Sequence, residues 1–132
     1  MTQDEKEILM IDLCGRLSYG VKCIDITPLE QFQDKNLWEI DRVRADVMQL
    51  GVSNCYVCYG NYINIHNIKP YLFPLSSMTE EQEEEFDRLY TYDALIIEPQ
   101  WELIDWLNKN HFDYRGLIEK GLAIDATNLN IY

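Results

Sequence analysis

Cys55-Tyr56-Val57-Cys58 has the spacing that metal and redox chemistry use, two thiols separated by two residues. A structural zinc ion needs four ligands, and Cys14, Cys23, His66 and His111 are the residues that could complete the set. No second pair with this spacing exists in the chain. Tyr56 and Val57 favour extended backbone, and strand residues three apart face opposite sides, which separates the two thiols. Thioredoxin-like exchange wants such a pair at a helix start, and no helical pattern begins here. The four cysteines therefore read as reduced thiols of the core or surface, with no metal and no cofactor expected.

His111-Phe112-Asp113-Tyr114-Arg115 gathers a second set of ionisable groups. His111 and Asp113 could act as general acid and base. Nothing close by in the sequence supplies a nucleophile or an oxyanion site, and the plainer reading is local. His111 lies near a helix C-terminus and Asp113 caps the turn that follows. The acidic run from Glu80 to Asp87 could imitate the phosphates of a duplex, but on an amphipathic helix it is the wet face. Calcium-loop spacing is absent, as are a glycine-rich phosphate loop, G-x-S-x-G and H-E-x-x-H. No residue is assigned a catalytic role.

The tyrosines are the softer clue. Tyr56, Tyr59, Tyr62, Tyr71, Tyr90 and Tyr92 are too many to assign to the core alone. Tyr offers large contact area at small entropic cost, which suits an interface or a ligand pocket. The candidate contacts to a partner or ligand are Tyr56, Tyr59, Tyr62, His111, Tyr114 and Arg115.

Elements must position these residues, and the chain has the length for one domain of 132 residues. It is 47% apolar and 26% charged, a globular composition. Twenty-three acidic against 11 basic residues give a net charge of −12. That surface repels phosphate backbones and anionic membranes, so neither direct nucleic-acid binding nor membrane association is expected. No apolar run approaches the roughly 20 residues of a membrane span, and the start of the chain lacks the pattern of a signal peptide. A cytoplasmic protein is the expectation.

Thr2 and Glu5 form a capping box that opens a helix over residues 3–17, ended by Gly20 in the left-handed conformation. Residues 21–26 read as a strand and 28–36 as a loop. Residues 37–50 fit both a helix and a pair of strands, with strands preferred, and Gly51 is expected to break the segment. Cys55–Tyr59 and Tyr62–Ile65 read as a hairpin turning at Gly60-Asn61. Pro70 and Pro74 predict an irregular crossing segment over 68–77. Thr79 and Gln82 form a second capping box, opening a helix to about Tyr90. A short strand over 94–97, a helix over 101–110 and one or two turns over 114–120 complete the pattern. Strands clustered apart from helices predict an α+β domain, a small antiparallel sheet with an N-terminal helix and C-terminal helices packed on one face.

Two stretches carry a resemblance. They are Ile68-Lys69-Pro70-Tyr71-Leu72-Phe73-Pro74-Leu75-Ser76-Ser77-Met78-Thr79-Glu80-Glu81, and Ile104-Asp105-Trp106-Leu107-Asn108 with residues 113–123 (Asp113-Tyr114-Arg115-Gly116 through Leu122-Ala123). Leu13-Cys14-Gly15-Arg16-Leu17 with Tyr19-Gly20-Val21-Lys22 is a weaker third. Together these resemble a widespread family of small uncharacterised proteins encoded by phages and prophages of gut bacteria. The resemblance implies a phage accessory protein and brings no activity to any residue. It leaves two functional expectations. The preferred one is a non-enzymatic binding protein that occupies a host protein or sequesters a small ligand, with self-association into a homo-oligomer allowed. The alternative is a small hydrolase of a nucleotide signal using His111, Asp113, Tyr114 and Arg115, or an acidic mimic of nucleic acid.

Overall fold

The first helix begins where its capping box lies. In the computed structural model, which describes residues 1–26, 37–53, 61–90 and 101–132, the Thr2 hydroxyl accepts from the Glu5 N–H and the Glu5 carboxylate accepts from the Thr2 N–H, both at 3.1 Å. Helix α1 runs Gln3–Arg16 and passes through a 3₁₀ turn to Gly20, whose φ of 68° is left-handed as expected. Leu9, Met10 and Leu13 are buried, whereas Cys14 is exposed. The inner face also carries Asp12 and Arg16, both fully buried.

Strand β1 spans Lys22–Asp25, β2 Leu37–Arg44 and β3 Gln49–Ser53, so the ambiguous segment is two strands around a 3₁₀ turn at Ala45–Val47. Strand β4 is Asn61–Asn64 and β5 Ile68–Pro74. The order in the sheet is β4-β3-β2-β1-β5-β6, with β6 Phe112–Asp113 and β7 Ile124–Asp125 both pairing with β5. Strands β1 to β5 are joined antiparallel, while the two-residue β6 and β7 run parallel to β5. The fold is α+β, and the sheet is mixed rather than wholly antiparallel.

Two expectations from turn-forming residues, those at Gly51 and Pro70, are overturned by pairing. Asn61 opens β4 opposite Val52, and Tyr62 pairs with Gly51, so β4 lies antiparallel to β3. The expected partner strand 55–59, and with it Tyr56 and Tyr59, lies outside the described residues, as do the loop 28–36 and the strand 94–97. Gly51 does not break the chain but sits buried within β3. Pro70 lies inside β5, opposite Cys23 of β1. Ile26 N–H donates to the Asn67 carbonyl at 2.7 Å. Antiparallel rungs alternate, so the next fall at 24/69 and 22/71, and Pro70 occupies a position where β1 asks no N–H of it. At 22/71 a phenol stands in for the direct rung. The Lys22 N–H donates to the Tyr132 hydroxyl, which donates to the Tyr71 carbonyl, each at 2.8 Å.

The core lies between α1 and the inner face of the sheet, where Cys23, Ile40, Leu50, Val52, Ile63 and Leu72 meet Leu9 and Leu13. A second cluster forms at the β6 end. Helix α2, Glu80–Tyr90, and helix α3, Trp101–Lys109, pack there around Leu103, Leu107 and Phe112, with Phe73, Phe86, Leu89 and Trp106 at its margin. The second capping box is present, Gln82 N–H donating to Thr79 Oγ1 at 3.2 Å. Trp101 is exposed, since the buried face of α3 is centred on Leu103 and Leu107. Among the described residues no helix is long and apolar enough to cross a membrane.

A bulge decides the outer face. Ile40 pairs with Val52 but Arg42 pairs with Gly51, so two residues of β2 oppose one of β3 at Asp41. The extra residue turns Arg42 and Arg44 outward while keeping Val43 against the core. Gly51 permits this, because a Cβ there would stand 2.7 Å from Arg42 Cβ and 2.9 Å from Arg42 Nε. We predict that Gly51→Ala destabilises the protein by about 1–3 kcal/mol through overpacking. Urea unfolding measures it, and an unchanged midpoint would contradict the close approach.

Candidate functional site

Two tyrosines each lie between two guanidinium groups, one at an enclosed corner and the other in the open. The enclosed corner forms where α1 meets α3 and β6. Arg16 Nε donates to Asp12 Oδ2 at 2.7 Å, and its Nη2 donates to Asp12 Oδ1 at 3.2 Å and to the Phe112 carbonyl at 2.6 Å. Arg115 Nε reaches Asp12 Oδ1 at 3.3 Å from the other side. The Tyr114 ring lies beside both cations, 5.1 Å from Arg16 and 5.2 Å from Arg115. Its hydroxyl donates to Asn108 Oδ1 at 2.8 Å. Asn108 is itself buried and approaches α1 at Gly15, where a Cβ would be 3.4 Å from its Nδ2.

Asp113 extends the corner. Its carboxylate accepts from the N–H groups of Arg115, Leu117 and Ile118. The turn it caps is closed by Gly121 N–H to the Ile118 carbonyl and Leu122 N–H to the Leu117 carbonyl, with Gly121 at φ 73°. These are the bonds that terminate a helical turn at a left-handed glycine. Asp113 thus caps a turn, as its sequence position suggested.

His111 follows α3 with φ 61°, a left-handed conformation more usual for glycine. Its carbonyl accepts from Phe73 N–H at 2.8 Å, and its ring stacks on Tyr132 with 3.7 Å between centroids. The Lys22 ammonium lies over the same Tyr132 ring at 5.9 Å. Burial lowers the His111 pKa to about 4, with Arg16 and Lys22 adding to the effect, so the ring is neutral at pH 7. Burial also pushes the Tyr132 phenol upward, which keeps its hydroxyl protonated as the donor to Tyr71.

The exposed arrangement lies on the outer face of the sheet. Tyr62, 37% exposed, has Arg44 at 4.7 Å and Arg42 at 5.1 Å from its ring centroid. Arg42 crosses Gly51 and is held at its Nε by Asp41 at 2.8 Å. The strand registers put Lys22 and Lys69 on this same face, opposite in side to Cys23. Lys22, Lys69, Arg42 and Arg44 thus emerge on one face, with Glu39 and Asp41 among the described carboxylates there. Neither the bulge nor the role of Gly51 could be read in advance, since both depend on the register of β2 with β3.

The candidate residues therefore divide. Tyr114 and Arg115 come together at the corner, with Asp12, Arg16 and Asn108, which the sequence reading missed. A four-residue spacing of Asp12 and Arg16 beside apolar positions was the available signal, although such pairs ordinarily face water. Among the described residues no hydrogen bond or ion pair joins His111 to Arg115. Cys14 and Cys23 are free thiols on opposite sides of α1's packing surface, and Cys23 is raised well above the ordinary thiol range by burial, with Asp25 adding. Cys55 and Cys58 lie outside the described residues. Comparison of the chain with protein-family models, with curated proteins and with solved structures finds no significant match.

Removing one partner of a buried ion pair leaves the other uncompensated. Asp12→Asn is expected to cost about 3–5 kcal/mol in chemical denaturation, whereas the neighbouring Cys14→Ser, on the exposed side, changes stability by less than about 0.5 kcal/mol. Equal effects at the two positions would show that Arg16 is not held as described.

His111 also sets a pH dependence. Its folded pKa is about 4 against 6.5 for the free side chain. Between these values the unfolded chain takes up a proton that the folded chain refuses, so stability falls as pH drops from 6.5 towards 4 and this contribution is complete above 6.5. His111→Asn, which tolerates the left-handed backbone, should flatten the stability–pH curve relative to wild type across that interval. Parallel curves would rule out a neutral, enclosed His111.

Proposed function

We propose that this protein is a non-enzymatic binding protein whose contact surface is the outer sheet face around Tyr62. The observation that carries the reading is an exposed tyrosine with the guanidiniums of both Arg42 and Arg44 over its ring. Tyr and Arg are enriched among residues that dominate interface energetics, and side chains already immobilised lose little entropy on binding. Arg42 is pinned by Asp41 and Gly51, and Tyr62 by the two guanidiniums, so the surface is organised before a partner arrives.

The ionisable residues elsewhere favour the same reading. Asp113 holds three backbone N–H groups, Asp12 holds Arg16 and Arg115, and His111 lies under Tyr132. The two carboxylates are engaged by structural partners, and the His111 ring is enclosed against Tyr132, its Nδ1 buried without a hydrogen-bond partner. In the setting that the sequence resemblance implies, the partner is a host protein met in the host cytoplasm, and the protein is a phage or prophage accessory factor.

The test is affinity capture from host lysate with wild type and Tyr62→Ala, followed by quantitative titration of whatever is retained. We expect a partner retained by wild type and weakened at least tenfold by the substitution, about 1.4 kcal/mol. Unfolding midpoints must match for the comparison to count. Retention that is indifferent to Tyr62 would remove the proposed surface, and turnover of a nucleotide substrate abolished by His111→Asn would replace the reading with the enzymatic one.

A further inference from the structure

The Tyr62 face and helix α2 carry opposite charge and stand at opposite ends of the sheet. Strand β4, which bears Tyr62, and strand β6 are the two ends of the order β4-β3-β2-β1-β5-β6. Strand β4 joins β5 through the three residues Ile65–Asn67, so the sheet is curled and its two ends are set apart by pairing order, not by a flat width. Phe86 and Leu89 of α2 rest on the cluster around Phe112 of β6, while Glu80, Glu81, Glu83 and Glu84 are exposed. None of the residues of α2 is buried. Glu85 pairs with Arg88 at 3.4 Å, and among the described residues no ion pair is formed by Glu80, Glu81, Glu83 or Glu84. Among the described residues no ion pair joins α2 to Arg42 or Arg44 of its own chain.

We propose that a second copy of this chain occupies the Arg42–Tyr62–Arg44 face, bringing the acidic side of its α2 against the two guanidiniums. Spacing supports the match as well as charge. Glu80 and Glu84, one helical turn apart, are separated by about 6 Å along the axis. Arg42 and Arg44, two residues apart on one strand, are separated by about 6.7 Å. Two carboxylates can thus meet two guanidiniums in register. The contact joins different surfaces of the two copies, so it either propagates head to tail or closes when two copies exchange both surfaces. Exposed ion pairs are individually weak, which makes the association concentration-dependent and sensitive to salt. The inference rests on the Tyr62 face proposed above as a contact surface, and it adds that self-association competes there with a foreign partner.

Sedimentation velocity over a concentration series at low and high salt tests it, on wild type, Arg44→Glu, and the double variant Glu80→Lys with Glu84→Lys. Wild type should gain mass with concentration at low salt and revert to monomer at high salt. Each variant alone should associate at least about tenfold more weakly. An equimolar mixture of the two should recover a 1:1 complex, since one copy keeps the acidic helix and the other the basic face. A mixture that stays monomeric, or self-association indifferent to both variants, overturns the proposal. So does a wild type that stays monomeric throughout. If that monomer binds a fluorescein-labelled polyglutamate peptide through Arg44, the face remains a contact for acidic foreign partners and only the second copy is excluded. If the monomer binds neither that peptide nor a captured partner through Tyr62, both readings fall. Binding of a labelled single-stranded oligonucleotide in place of the peptide also overturns the proposed occupant.

Discussion

Arg16 is enclosed with its charge intact, and the surrounding elements are arranged to tolerate that. A guanidinium removed from water needs a counter-charge and acceptors for its N–H groups. Asp12 supplies the charge from one turn earlier on α1, and the Phe112 carbonyl supplies an acceptor from β6, 96 residues away in sequence. That single side chain therefore ties the N-terminal helix to the last third of the chain. Tyr114, Asn108 and Arg115 complete the surroundings, and Gly15 allows α3 to come close. The Leu13–Leu17 stretch and the Asp113–Gly116 stretch are two halves of one corner, which accounts for their composition without invoking catalysis.

The same residue types do different work on the other side of the sheet. Tyr114 and Tyr62 each have two guanidiniums beside the ring. At the corner the cations face a buried carboxylate, and Arg16 Nη1 is buried without a hydrogen-bond partner. On the outer face Arg44 and Tyr62 stay open to solvent. A cation–aromatic contact is worth more where water is excluded. The exposed set therefore has stabilisation to gain from a partner that covers it, which the corner does not.

The strand arrangement shows how local preferences yield to pairing. Proline removes a donor, yet Pro70 sits in the sheet because antiparallel alternation leaves its position without a rung to β1. Glycine weakens an isolated strand, yet Gly51 is the residue that lets Arg42 cross β3. Tyr132 bridges Lys22 to Tyr71 where the ladder lacks a direct rung, and His111 closes over its ring. Each is an exception to a composition rule, and each has a named neighbour that makes it one.

What the residues determined alone were the features whose physics is local. Both capping boxes, the left-handed Gly20, the turn capped by Asp113 and the α+β class follow from interactions within a few residues or from hydrophobic periodicity. The outward direction of Tyr62 was legible because alternate residues of a strand face opposite sides. Tertiary structure decided the rest. The partner of β4, the strand character of 68–74, the bulge at Asp41 and the burial of Asp12 and Arg16 depend on which distant segments lie alongside. An ion pair at i and i+4 reads identically on a wet or a buried helix face, and only the arrival of Phe112 settles which one this is. Arg42 and Arg44 became part of the candidate surface for the same reason. One extra residue in β2 reverses the side on which every following side chain emerges, and register is a property of two strands, not of one.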